Sequence, residues 1–300
     1  MKTKMPKLHG IIPPIATPID ARERPDEKAL RRLVEYLLAA GTHALFVMGS
    51  TGEFALFTDE ERKRAIEIVV DQVGGRVPVL AGCAAESTKK AIAQAAVATE
   101  AGAQMLVLTP TYYFPATQPD IIAHYRLFLK EADLPTVVYN IPWCTGSSIQ
   151  PETAEVLFDL PGVVGMKDSS DDFWLFQRLL IVRQSRKNGV LFQGSENNIA
   201  ASLLMGADGG VLGIANVLPD LCVRLYQAAA RGDLEKVRAL NDKLQRVRRL
   251  YPLAPPRQIL KYMLSLKGIG NGAAVQPAAP LPAAVKQQVR TVLRREGSLD

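Results

Sequence analysis

The chain has 300 residues, of which 48% are hydrophobic, and a formal net charge of +6. That apolar share is enough for a deep core, and no apolar run reaches the ~20 residues of a membrane-spanning helix, so no membrane partner is expected. Cys83, Cys144 and Cys222 lie far apart with no Cys-x-x-Cys pair, which fits a reducing cytoplasm and leaves room for burial or a lone reactive thiol.

Residues 1–7 are charged with no apolar stretch behind them, so no secretory leader is expected. A buried strand is predicted at 11–15. A helix follows with apolar residues at Leu30, Leu33, Val34 and Leu37. After a strand at 44–48, Thr58-Asp59-Glu60-Glu61 forms a capping box opening a helix through Ile66, Val69, Val70 and Val73. A strand at 77–81 precedes Ser87, the predicted N-cap of an alanine-rich helix over 91–101. Further strands are read at 105–109, 136–139, 163–166, 190–192 and 210–212. Several are continuous apolar runs, as parallel strands covered on both faces should be.

Eight such strands, alternating with helical patterns, match a (β/α)8 TIM barrel of the α/β class; a doubly wound open sheet is the rival. After Asp220 the strand signal stops. Helical patterns occupy 221–230, 234–250 and 258–266, and a Pro/Gly/Ala-rich stretch over 268–282 leads to a last helix. The expected organisation is a barrel over residues 1–220 carrying most of the active site. A C-terminal helical appendage, residues 221–300, packs on it as part of the same structural unit. Arg246-Val247-Arg248-Arg249 and Arg294-Arg295 fall in these late helices. They lack interleaved aromatics and read as solvated faces, so nucleic acid is not an expected partner. The positive excess still favours an anionic substrate.

Barrel chemistry sits past the C-terminal ends of the strands. There the sequence places Gly49-Ser50-Thr51-Gly52-Glu53, Thr109-Pro110-Thr111-Tyr112-Tyr113, Tyr139-Asn140-Ile141-Pro142, Lys167-Asp168-Ser169-Ser170 and Gly194-Ser195-Glu196. Lys167 ends an apolar strand in a poorly hydrated setting that favours the neutral amine needed for carbonyl addition. Taken singly, a lysine that snorkels to solvent or pairs with Asp168 is the plainer account. The Gly49–Glu53 loop offers hydroxyls and backbone N–H groups suited to a carboxylate. It lacks the lysine and the glycine spacing of a phosphate-binding P-loop, and taken alone it is as well read as a tight turn. Tyr139 and Tyr112 offer phenols for proton transfer, or simple packing. His9, His43 and His124 are dispersed, so no metal is expected. Gly206-Ala207-Asp208-Gly209-Gly210 is a possible phosphate loop.

In this order and spacing, Gly49-Ser50-Thr51-Gly52-Glu53, Tyr139-Asn140-x-Pro142 and Gly165-x-Lys167-Asp168 resemble the dihydrodipicolinate synthase/N-acetylneuraminate lyase family of class I aldolases. The resemblance implies a barrel with a C-terminal helical bundle, assembled as a homotetramer from tight dimers. It makes Lys167 the Schiff-base lysine and Tyr139 the proton relay. Ser50 links Tyr139 to Tyr112, whose counterpart in many members reaches into the adjacent subunit. Thr51, with the Ser50 and Thr51 N–H groups, holds the substrate carboxylate; Gly194 and Val211 line the imine pocket; Glu53 stabilises its loop. The substrate is a pyruvate-type 2-oxo acid, and no cofactor is required.

One departure limits the assignment. Members that condense pyruvate with aspartate semialdehyde carry an arginine two residues after the proline of the Tyr-Asn-x-Pro segment. Here Trp143 and Cys144 follow Pro142, and a thiol cannot make a bidentate charged contact. The favoured reading is therefore a lyase cleaving or forming a carbon–carbon bond, with Trp143 and Cys144 at the second-substrate pocket. The alternatives are the synthase itself, a dehydratase of 2-keto-3-deoxy sugar acids, and a non-catalytic ligand-binding barrel.

Overall fold

The computed structural model describes residues 8–186 and 189–299; the leader expectation at residues 1–7 lies outside them. Eight strands alternate with helices: β1 (Gly10–Ile11), β2 (Leu45–Val47), β3 (Val79–Gly82), β4 (Met105–Leu108), β5 (Thr136–Asn140), β6 (Val163–Asp168), β7 (Val190–Gln193) and β8 (Gly209–Gly210). Every strand pair is parallel, and the order β1-β8-β7-β6-β5-β4-β3-β2 runs round the sheet. Between β1 and β2 the ring closes without a regular ladder. The His43 N–H donates to Ile11 O (2.9 Å), Phe46 N–H to Pro13 O (3.0 Å) and Ile15 N–H to Phe46 O (2.8 Å). The fold is a (β/α)8 barrel, and the open-sheet rival is excluded.

The first strand is shorter than residues 11–15 because Pro13 and Pro14 have no N–H to offer a ladder. Asn216, fully buried, takes over: its amide donates to Pro14 O (2.8 Å) and its carbonyl accepts from Ala16 N–H (2.9 Å). The last strand ends early as well, at Gly210, and the chain turns into a 3-10 turn at Gly213–Asn216. A Cβ at Gly209 would sit 1.9 Å from Gly10 O, so the β1–β8 seam requires glycine there.

The helices cover the outside. On the barrel side these are α1 (Glu27–Ala39), α2 (Asp59–Val73), α3 (Thr88–Glu100), α4 (Gln118–Glu131), α5 (Pro142–Thr145), α6 (Pro151–Phe158), α7 (Phe173–Gln184) and α8 (Ile199–Leu204). The Thr58–Glu61 capping box and the Ser87 cap are both made. Strand alternation divides the apolar residues into two cores. Ile12, Phe46, Leu80, Val107, Val137, Phe192 and Val211 fill the barrel interior. Leu45, Val47, Leu106, Val138, Met166 and Leu191 face outward under the helices.

Four further helices follow: α9 (Pro219–Ala230), α10 (Leu234–Arg248), α11 (Pro256–Leu266) and α12 (Ala283–Arg295). Their Leu225, Leu244, Met263 and Leu293 join the same outer core. No helix among the described residues is long and apolar enough to cross a membrane. A buried ion cluster ties this region to the rim. The Glu53 carboxylate, fully shielded, pairs with Lys261 of α11 and with Arg257 Nε (3.3 Å), and accepts from Val275 N–H (3.3 Å). Leaving a buried charge without any partner costs about 3–5 kcal/mol. Lys261→Met leaves Glu53 with the partly exposed Arg257 alone and is therefore expected to lower stability by up to about that amount. Denaturant unfolding checks it, and an unchanged midpoint would contradict the account.

Candidate active site

A cavity of 640 Å³ opens at the C-terminal ends of the strands. Ser50, Thr51, Tyr112, Tyr139, Trp143, Cys144, Lys167, Gly194 and Val211 all line it, so the residues singled out from the sequence converge on one rim.

Lys167 lies at its floor. β6 turns Met166 outward and Lys167 inward, and only 4% of Lys167 is exposed. With it, Ile12, Phe46, Leu80, Val107, Val137, Phe192 and Val211 line a small apolar void in the barrel interior. The amine stands 3.9 Å from the Tyr139 ring centroid and 5.4 Å from that of Phe46, a cation–π setting. Asp168 faces the other way. Its carboxylate accepts from Asn140 Nδ2 (2.7 Å) and Ser170 Oγ (2.8 Å), so it is not the lysine's counter-ion. Gly194 permits this packing: a Cβ there would lie 2.9 Å from Lys167 Cε and 2.0 Å from Ser169 Oγ.

The loop after β2 leaves donors open. Gly52 N–H and Glu53 N–H donate to Gly49 O (3.0 Å) and Ser50 O (3.1 Å). The Ser50 and Thr51 N–H groups have no acceptor among the described residues, as a carboxylate-binding turn requires. Tyr112 packs at 6.4 Å from the Phe54 ring, and burial, with Glu86 nearby, raises its phenol above the usual value. No hydrogen bond joins Ser50 to Tyr139 or Tyr112 among the described residues. The Ser50 hydroxyl instead meets the Cys144 thiol. Cys144 is an exposed residue whose thiol turns inward; desolvation there pushes the thiol up, against that hydrogen bond and the nearby Lys167 charge. It is neither a thiolate nor a substitute for an arginine. Trp143, 70% exposed, is fixed at the mouth by Nε1–H donating to Ser169 O (3.1 Å).

Other candidates fall elsewhere. In the Gly206–Gly210 segment, residues 206–208 precede β8 and the two last glycines form it, so the segment begins at the opposite, N-terminal end of the barrel. Asp208 there pairs with Arg183 and accepts from Leu191 N–H (2.9 Å), so the phosphate-loop reading is dropped. His9 and His43 meet edge to face at that end too, with ring centroids 4.8 Å apart. His124 bonds Thr88 and Thr109, and burial lowers it to about 4. Among the described residues no grouping of histidine, cysteine, aspartate and glutamate could hold a metal ion. The sequence reading missed Arg248, Tyr251 and Arg257, which also line the cavity. Arg248 sits in a cluster read as a solvated face, and no local pattern distinguishes it from its neighbours.

The sequence profile described as the dihydrodipicolinate synthetase family matches residues 7–296. The chain belongs to this family. It is accordingly an enzyme, a lyase of that family. An uncharacterized DapA-like lyase of Halobacterium salinarum is 36% identical over 271 residues, covering 90% of this chain and 88% of its own. A 4-hydroxy-tetrahydrodipicolinate synthase of Pseudomonas putida is 34% identical over 97% of this chain and 99% of its own. The structure of YagE, a prophage protein of the dihydrodipicolinic acid synthase family from E. coli K12 in complex with pyruvate, superposes with a TM-score of 0.92 at 28% identity, over 96% of this chain and 98% of that one. The dihydrodipicolinate synthase of Thermotoga maritima gives 0.94 at 30%, over 98% of this chain and all of its own.

Burial raises Asp168 from 3.8 to about 6, against the hydrogen bonds from Ser170 and Asn140. A carboxyl raised on folding contributes stability that is full below the unfolded value and is lost as pH rises through about 6. Asp168→Asn, which keeps both partners, is expected to gain on the parent protein between pH 4 and 7 by up to about 3 kcal/mol in denaturant unfolding. A pH-independent difference would contradict this.

Proposed function

We propose that this lyase works through an imine between Lys167 and a pyruvate-type 2-oxo acid, with aldol cleavage or formation of a carbon–carbon bond. The observation that carries the reading is a buried lysine lining the cavity, beside an apolar void, with no carboxylate paired to it among the described residues. The pyruvate held by YagE supports the choice of a 2-oxo acid.

In this mechanism the Lys167 amine adds to the keto carbon and water leaves. The protonated imine withdraws electrons from the neighbouring carbon, which loses a proton to give an enamine. The enamine attacks an aldehyde carbonyl, and the reverse sequence cleaves the bond. Thr51, with the Ser50 and Thr51 N–H groups, clamps the substrate carboxylate and fixes its orientation. Tyr139, its ring already against the lysine, moves the protons. The relay through Ser50 between Tyr139 and Tyr112 requires its hydroxyl to turn from Cys144 toward them, while Gly194 and Val211 wall the imine. Trp143 and Cys144 border the second substrate.

Condensation of pyruvate with aspartate semialdehyde is the second reading, favoured by the identity with the Pseudomonas enzyme. Cys144 in the place of an arginine argues against it, and a coupled assay with both substrates separates the two. A dehydratase of 2-keto-3-deoxy sugar acids would release water and no pyruvate. A homotetramer built from tight dimers belongs to the same proposal, supported by the exposed Tyr113 and Phe114 rings beside Tyr112. So does a cytoplasmic location, supported by the free Cys83, Cys144 and Cys222.

Borohydride reduction with pyruvate, followed by peptide mass spectrometry, is expected to leave a reduced pyruvate adduct on Lys167, absent in Lys167→Ala. An adduct on another lysine, or none, rejects the imine. Gly194→Ala pushes a methyl against Lys167 Cε. It is expected to reduce adduct formation at least tenfold while the protein stays folded by circular dichroism, and parent-level trapping would show that the close approach does not matter.

A further inference from the structure

Lys167 and the carboxylate turn line only part of the cavity; one further stretch of its wall comes from the C-terminal region, where Arg248, Tyr251 and Arg257 stand. Arg248 ends α10, with Nε buried and without a hydrogen-bond partner. Among the described residues its guanidinium makes no ion pair, and it stands 5.8 Å from the Tyr251 ring. The Tyr251 hydroxyl is also buried, beside the Glu196 carboxylate but without a well-aligned hydrogen bond. Burial, and secondarily that carboxylate, holds the phenol protonated and therefore a donor.

The carboxylates nearby are already engaged. Glu53 is answered by Lys261 and Arg257. Glu196 Oε1 accepts from Ile214 N–H (2.9 Å). Asp171 is held by Ser195, Asn197 and Asn198. Arg248 therefore lines the cavity as a partly buried cation with no counter-ion among the described residues and with an unpartnered, buried Nε. Gly213 connects this wall to the carboxylate turn: a Cβ there would lie 3.6 Å from Thr51 Oγ1 and 3.4 Å from Glu196 Oε1.

From this geometry we infer that Arg248, with the Tyr251 hydroxyl and the Arg257 side chain, binds a second anionic group at the far end of the substrate. The site then takes a 2-oxo acid whose aldol partner carries a carboxylate or equally charged group. The charge that Cys144 cannot meet is met from the opposite, C-terminal side. This rests on the proposal that the keto end sits at Lys167.

Titration calorimetry with 2-oxoadipate and with 2-oxohexanoate, which lacks only the distal carboxylate, tests it on the intact protein. The parent protein is expected to bind 2-oxoadipate at least tenfold more tightly. That ratio should fall toward one in Arg248→Gln and survive in part in Arg248→Lys. Arg249→Gln removes the same charge from an exposed neighbour and should keep the ratio, which separates a local contact from the overall field. Equal affinities in the parent, binding of neither acid, or a ratio that outlasts Arg248→Gln overturns the inference. Borohydride trapping of pyruvate on the parent protein reads the imine separately: its failure with an intact calorimetric ratio rejects Lys167 and not Arg248.

Discussion

A parallel strand turns successive side chains to opposite faces, and at the end of β6 that two-residue period separates a cation from the carboxylate next to it. Lys167 points into the barrel and Asp168 out of it. The lysine is left with two aromatic faces and an apolar floor, while Asn140 and Ser170 hold the aspartate. The rest of the site is arranged around the space this creates. Gly194 is small so that the lysine stem can pass, and Phe46 and Val211 help line the small apolar void beside it.

The barrel supplies this floor, but the chain beyond β8 supplies a wall. Glu53 belongs to the turn whose free N–H groups suit a carboxylate, and its own side chain is locked to Lys261 of α11. The helical region is thus coupled electrostatically to the turn. A rim built in this way has two sources: strand ends contribute Lys167 and Tyr139, and helices far along the chain contribute Arg248 and Arg257.

Much of this was legible in the sequence because it follows from periods and composition. Continuous apolar runs at the β4 to β7 positions mark strands covered on both faces, and Thr58-Asp59-Glu60-Glu61 marks a helix start by its own hydrogen bonds. The strand-end motifs mark Lys167, Tyr139 and the Ser50–Thr51 turn as neighbours on one rim. What stayed hidden depends on contacts distant in sequence. Nothing in Arg246-Val247-Arg248-Arg249 shows that Arg246 pairs with Glu296 while Arg248 turns to the cavity. Nor does Pro13-Pro14 reveal that Asn216, some 200 positions later, supplies the missing bonds.

That last arrangement fastens the start of the barrel to its end in two ways. β1 and β8 pair backbone to backbone, and just beyond them the Asn216 amide holds the chain at Pro14 and Ala16. One side chain both donates and accepts there, a double duty that an amide can perform and a carboxylate or an apolar residue cannot. Two stretches some 200 residues apart are thus clasped by a single residue, and its identity is set by the two prolines at the other end of the chain's circuit.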